Sequence, residues 1–284
     1  LKISFNNNKK FSLKIKIFLN FLSVKNLKSS LFNLNHVNSI FNEIKKIKPK
    51  KVIFTYEGYP WERMLNYKIK KFDRSIKTYG YFFSIISKYH NSPFFELKEN
   101  YDPDYILCAG NFSKKNFIKK KFNKKKIFVI GSNNFNLRLH DNKKFKNYKN
   151  NCLILPEGFN EEVLYLVNYA RDILDKGLNI NFILRLHPST NIEFKTYIEK
   201  YIKNSKIKIS NFKLEDDLKR SNIALYRGSS AIISAGFSNI IPVYISKPNE
   251  LTIDPLFPIV NHKPNINSYK EFIIFYNRLR KNKF

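Results

Sequence analysis

Cysteine is scarce: Cys108 and Cys152 are the only two in a chain of 284 residues. Two thiols exclude a disulfide framework as the organising principle, and no zinc-ligand spacing involves them. Each lies in a short apolar run, which reads as a buried strand thiol and fits a reducing cytoplasm. Long apolar runs are missing as well. No stretch approaches the ~20 residues needed to span a bilayer. The richest, Leu13 to Val24, is broken by Lys14, Lys16 and Asn20 and has no small-residue cleavage site of the kind a signal peptide carries. The chain opens on Leu1 rather than Met, and one reading is a fragment that lacks an opening strand.

Acidic residues are also few: 22 against 52 Lys and Arg, a formal charge of +30. Three readings meet that number. Lys far outnumbers Arg, and Asn, Ile and Phe are common, as AT-rich codon usage would produce. Affinity for an anionic membrane surface is a second reading and nucleic-acid binding a third. The Lys runs, Lys9-Lys10, Lys45-Lys46, Lys70-Lys71, Lys119-Lys120-Lys121 and Lys124-Lys125-Lys126, are spread over separate segments. No Arg-and-aromatic recognition module accompanies them. The expectation is therefore codon bias, with no nucleic-acid partner. Peripheral contact at the inner face of a membrane stays open, through the densest region between Phe117 and Ile127.

What is present is ample apolar surface: 43% of residues are hydrophobic, which excludes compositional disorder. The length allows one large domain or two of about 100–150 residues. Short, continuous, β-branched-rich runs read as buried parallel strands: Lys51–Thr55, Tyr105–Cys108, Ile127–Ile130, Cys152–Leu155, Asn181–Leu186, Asn222–Tyr226 and Ile241–Ile245, with Lys206–Ile209 as a weaker edge strand. Between them, Val37–Ile47, Glu161–Lys176 and Phe194–Ile202 carry helical periodicity. Alternation of this kind means βαβ units and mostly parallel sheets. Leu137–Asn151, rich in Lys and Asn and without periodicity, reads as a linker between two α/β halves. The expected architecture is α/β with two Rossmann-type halves, their parallel sheets facing a cleft. Ligands in such sheets bind at the carboxyl ends of strands.

The chemistry-bearing residues fall at those ends. Phe182–Leu186 runs into His187-Pro188; Pro stops the strand and leaves His187 at its carboxyl end, with Arg185 adding charge nearby. An imidazole there can donate to a phosphate oxygen, or it is an ordinary turn histidine. Ile223–Tyr226 runs into Arg227-Gly228-Ser229-Ser230 and a small-residue helix, Ala231–Phe237. Gly228 permits a tight turn, and Ser229 and Ser230 offer donors to an anion or serve only as N-caps. Lys51–Thr55 runs into Tyr56-Glu57-Gly58-Tyr59-Pro60-Trp61-Glu62. Glu57 is either a general base for an acceptor hydroxyl or a helix-start acid. Glu62 is a second candidate for that base or, the favoured reading, a structural acid of the helix. Trp61 is a sugar-stacking platform or, the favoured reading, an anchor of helix to sheet. Leu155-Pro156-Glu157-Gly158 places a further acid, Glu157, after another strand, to contact donor or acceptor or simply to close a turn.

A carboxylate-Gly turn, then His-Pro, then Ser-Ser resembles the three-motif pattern of bacterial sialyltransferases and polysialyltransferases. It is also similar to capsular Kdo transferases and CDP-glycerol polymerases. Over roughly Val52 to Ile245 the chain resembles GT-B surface-carbohydrate biosynthesis proteins. The resemblance implies an acceptor-side half at residues 1–140 and a nucleotide-sugar-binding half at 141–284. It implies a cytoplasmic glycosyltransferase that moves a sugar from a nucleotide-activated donor, CMP-sugar favoured, to a bacterial surface glycan, with inversion and with no metal or other cofactor. In that picture Glu57 is the base and His187 assists departure of the leaving group. Arg185, Pro188, Gly228, Ser229, Ser230 and Glu157 surround the nucleotide. Only one acid stands in Tyr56-Glu57-Gly58, where the pattern has two. The competing readings are an enzyme like UDP-N-acetylglucosamine 2-epimerase and a non-catalytic basic protein binding anionic polymer or membrane.

Overall fold

The computed structural model describes residues 27–97, 100–132, 150–236, 238, 240–258 and 263–281. They divide into two compact units, one of residues 1–84 and 91–134, the other of 85–90 and 135–284. The expected linker falls outside the described residues up to position 149, and Asn151 already opens a strand. The apolar run Leu13–Val24 and Phe237, the end of the expected small-residue helix, also lie outside them.

The first unit runs α1 (Leu27–Ile47), β1 (Lys51–Thr55), α2 (Pro60–Phe72), β2 (Lys77–Phe82), β3 (Tyr105–Cys108), α3 (Asn111–Lys119) and β4 (Ile127–Val129). Its sheet is parallel throughout, in the order β1-β2-β3-β4. Each crossover steps the same way, so right-handed connections stack the helices on one face. That face carries Val52, Thr78, Gly80, Phe82, Ile106 and Ile127 by register. Val37 and Ile44 of α1 and Leu65 and Ile69 of α2 cluster there with Val52. Phe117 of α3 meets Phe82 edge-on at 5.4 Å. On the opposite face Ile53 stays 67% exposed and Phe128 46% exposed, with Tyr79 and Tyr105 stacked 5.0 Å apart.

The second unit runs β5 (Asn151–Leu155), α4 (Asn160–Asp175), β6 (Asn181–Leu184), α5 (Ile192–Ile202), β7 (Ile207–Ile209), α6 (Leu214–Lys219), β8 (Ile223–Tyr226), α7 (Ile232–Gly236), β9 (Ile241–Ile245), β10 (Asn265–Ile266) and α8 (Tyr269–Lys281). Its parallel sheet has the order β10-β9-β8-β5-β6-β7. The chain steps from β5 to β7 in one direction, then returns to lay β8 on the other flank of β5. This is the doubly wound Rossmann order, and its direction reverses between β5 and β8. Reversal puts helices on both faces. Cys152 and Ile154 point into a core shared with α4, α5 and α8. Leu153 and Leu155 point into a second core with Leu218, Ile232 and Ala235. The β5 and β8 strands are therefore apolar at consecutive positions, as two-sided burial requires.

Both cysteines are buried strand thiols, and burial pushes the Cys108 thiol up to about 12. Two expected strands are shorter than the sequence suggested: β4 stops at Val129, and β6 at Leu184, before Arg185. β7 is the edge strand expected of Lys206–Ile209. Among the described residues no helix is long and apolar enough to cross a membrane.

Candidate functional site

In the second unit the carboxyl ends of β5, β6 and β8 come together at the reversal point. The loop after β5 carries Glu157. An added Cβ on Gly228, after β8, would lie 1.3 Å from the Glu157 Oε1, so the carboxylate rests directly on the Gly228 α-carbon. An added Cβ on Gly158 would lie 3.3 Å from the His187 Nδ1 and 3.0 Å from the Ser189 Oγ. Glu157, His187 and Gly228, singled out separately in the sequence, are thus neighbours. Burial raises the Glu157 pKa above the usual carboxylate range, and the charges of Arg227 and His187 pull it back only in part. No hydrogen bond reaches the Glu157 carboxylate among the described residues.

His187 begins a tight turn closed by the Thr190 N–H on the His187 carbonyl at 2.9 Å, so the turn reading of His-Pro is realised too. The ring is nevertheless committed in one sense. Its Nδ1 accepts from the Ser189 backbone N–H at 3.2 Å and lies 2.6 Å from the Ser189 Oγ. A backbone amide can only donate, so Nδ1 is an acceptor and the neutral ring carries its proton on Nε2. His187 and Pro188 are exposed, and the ring therefore offers an outward N–H donor, the form that suits a phosphate oxygen. Ser189 was not singled out in the sequence. A Ser two residues after a His is the one signal that could have marked it.

Ser229 is buried and Ser230 exposed. The amides of Ile232 and Ile233 donate to their carbonyls at 3.3 and 3.1 Å, while neither hydroxyl makes a hydrogen bond among the described residues. Side-chain N-capping, the plainer expectation for Ser-Ser, is not what these hydroxyls do. The helix that follows is only Ile232–Gly236, too short to add much dipole, so the group acts through individual donors.

Arg227 sets this loop. It is 2% exposed, donates Nη1 to the Ile245 carbonyl at 2.9 Å, and pairs with Glu162 at 2.8 Å and Glu250 at 2.7 Å. One guanidinium therefore ties the ends of β8 and β9 to the start of α4. Arg185 does not join the group. Its Nη1 is held by Asp217 at 2.9 Å and by the Phe212 carbonyl at 2.7 Å. Asp217 is fully buried and shared with Arg220 and Ser210, and a buried carboxylate of that kind requires its cations. The charge expected beside His187 is spent on the scaffold.

In the first unit Glu57 lies in the elbow between β1 and α2. The helix-start reading belongs to another acid: Glu62, at the third position of α2, accepts from the Glu57 N–H at 2.8 Å and the Tyr59 N–H at 2.9 Å. Glu57 itself is half-buried and caps nothing, and its carboxylate raises the pKa of the neighbouring Tyr59 hydroxyl. Gly58 holds φ +76°, with Ser92 backbone atoms 2.6 Å from where a Cβ would stand. Behind the elbow, Asp102 accepts from the Tyr56 hydroxyl at 2.6 Å and Arg63 Nη1 at 2.5 Å, while Arg63 Nη2 reaches the Ser92 and Phe95 carbonyls. Trp61 packs against the α1–α2 cluster and meets His36 of α1 edge-on at 5.2 Å, so these contacts join helix to helix. Among the described residues no cluster of three or more His, Cys, Asp or Glu could hold a metal ion.

No protein-family model matches the chain, and no curated protein sequence matches it. Solved structures do. UDP-GlcNAc 2-epimerase of Methanocaldococcus jannaschii, in complex with UDP-GlcNAc and UDP, aligns with a TM-score of 0.58 at 18% identity, over 89% of this chain and 74% of that one. A glycosyltransferase from Rickettsia africae aligns at 0.52 and 16% identity, over 87% and 72%. MurG of Acinetobacter baumannii aligns at 0.51 and 11%, over 87% and 69%. At such identities the likeness is one of fold, and the chain has a GT-B-type fold.

Proposed function

We propose that this protein is a glycosyltransferase whose second unit binds the nucleotide of an activated sugar at the carboxyl ends of β5, β6 and β8. The observation that carries the reading is the His187 ring, whose Nδ1 is occupied by Ser189 and whose Nε2–H is left as a donor; Ser229 and Ser230, at the carboxyl end of β8, add two hydroxyls that make no hydrogen bond among the described residues. Such donors suit a phosphate. As the nucleotide leaves, its phosphate gains charge, and the same donors stabilise it more strongly in the transition state than in the ground state. Pro188 fixes the turn, and Gly228 lets the Glu157 carboxylate lie against the backbone, where it can accept from hydroxyl or amino groups of the ligand. Glu57 takes the proton of the acceptor hydroxyl, and the transfer proceeds with inversion and without a metal.

The finer assignment follows the motif order: a CMP-linked donor and a surface-glycan acceptor, with the +30 chain touching anionic lipid peripherally. The fold shared with a UDP-GlcNAc 2-epimerase supports a second reading, isomerisation of a UDP-sugar. Incubation with CMP- and UDP-sugars, with and without glycan acceptor, separates the two. Sugar transfer that needs acceptor and is lost in His187→Ala supports the transferase. A new sugar isomer formed without acceptor assigns the epimerase. Transfer unchanged in His187→Ala overturns the site.

A further inference from the structure

Glu62 is buried to 1% exposure, yet it sits one helical turn from the exposed mouth of the β1–α2 elbow. Its Oε2 takes both the Glu57 and the Tyr59 amides, and its Oε1 is buried with no partner. A residue needed only to start a helix has no reason to be dry. N-terminal acids usually stand in water, where the dipole stabilises their charge. Here the carboxyl group grips the backbone of Glu57 itself.

We propose that Glu62 is a positioning residue for Glu57, and that the grip on the elbow weakens as Glu62 acquires its charge. This rests on Glu57 being the base of the proposed reaction, but the grip can be measured without it. The geometry gives the reason. Two amides satisfy one oxygen, and the other is stranded in a dry site, where an ionised carboxylate is costly. Burial accordingly pushes the Glu62 pKa up to about 7, and the amides of Glu57, Tyr59 and Gly58 bring it only partly back. Glu57 on the same elbow adds a like charge, and the Tyr56 and Tyr59 hydroxyls face it as well. Arg63, next along α2, offers no relief, because its guanidinium is spent on Asp102 and the Gly58, Ser92 and Phe95 carbonyls.

The sign follows from linkage. The folded pKa lies above the ordinary carboxylate value of about 4.3. The closed elbow is therefore fully favoured below that value. It loses stability as the pH rises towards 7 and changes no further once Glu62 is ionised in both states.

Hydrogen exchange at the Glu57 and Tyr59 amides reads the grip directly, after correction for intrinsic exchange. In the wild type, protection at these two amides should fall by up to about tenfold per pH unit between pH 5 and 7 and level off above, the slope of one linked proton. Glu62→Gln keeps an acceptor for both amides and cannot ionise, so its protection should stay flat. Glu62→Ala should lose protection at every pH. Transfer activity in the wild type should show an inflection near pH 7 that Glu62→Gln removes. Flat protection in the wild type, or an equal slope in Glu62→Gln, overturns the proposal. If protection behaves as expected but no substrate is turned over, the grip stands and the glycosyltransferase reading fails.

Discussion

The two units are built from the same βαβ step but bury their sheets differently. In the first, every crossover runs the same way, the helices gather on one face, and Ile53 in the middle of β1 is 67% exposed. In the second, the reversal between β5 and β8 covers both faces, and Ile154 in the middle of β5 is fully buried. The same residue type in the same kind of strand thus carries different weight. The reversal also does something that the one-way sheet cannot: it sets the loops after β5 and β8 side by side, where Glu157 rests on Gly228 and His187 lies against Gly158.

The contrast can be broken by experiment. Ile154→Ala should cost about 2–5 kcal/mol, because a two-sided core cannot collapse around the lost methyls. Ile53→Ala should fall within about 0.5 kcal/mol, as exposed positions do. Urea melts measure both, and equal costs would refute the one-faced and two-faced description. Arg227→Met tests the clamp of the second unit. Removing one partner of a buried pair typically costs about 3–5 kcal/mol, and here Glu162 is left in a dry site; a melting point close to wild type would show that the clamp is dispensable.

The glycines give a sharper version. Gly58→Ala forces a Cβ against the Ser92 backbone at φ +76°, and strain of this class costs on the order of 1–3 kcal/mol. Gly228→Ala meets side-chain ends rather than backbone: it displaces the Glu157 carboxylate and crowds the Ile253 Cδ1 at 3.1 Å. It should leave the melting temperature almost unchanged and reduce nucleotide binding instead. One variant reads stability and the other reads function. The smallest effect is expected of Ser189→Ala: the backbone N–H still donates to Nδ1 and keeps the ring in its Nε2–H form, while loss of the Oγ contact loosens the ring and lowers nucleotide affinity by a few-fold. Unchanged affinity would remove the Ser189 hydroxyl from its role.

Much of the second unit was legible in the sequence because two-sided burial writes continuous apolar runs: Cys152–Leu155 and Ile223–Tyr226 read as strands, and the residues after them as strand-end loops. The first unit was harder. β2, Lys77–Phe82, was not foreseen, because Thr78 and Gly80 stand at its buried positions and leave no apolar alternation to read. α8 was missed although Phe272 and Tyr276 anchor it, since Arg and Lys crowd the rest of its surface. At the site, the sequence pointed to His187 and Gly228, with Arg185 as charge nearby, but it could not show that Asp217, 32 residues away, holds the Arg185 guanidinium. It also could not show that Glu62 rather than Glu57 starts α2, since both precede the helix's apolar stripe and only the backbone contacts tell them apart.

The most direct test of the central claim is thermal melting of the wild type and His187→Ala with CMP, CDP, UDP and GDP in turn, because a ligand that binds only the folded state raises the melting point by mass action. The account predicts a shift with one class of nucleotide, CMP or CDP, that is lost in His187→Ala. No shift with any of the four in a well-folded protein, or an undiminished shift in the variant, would contradict it.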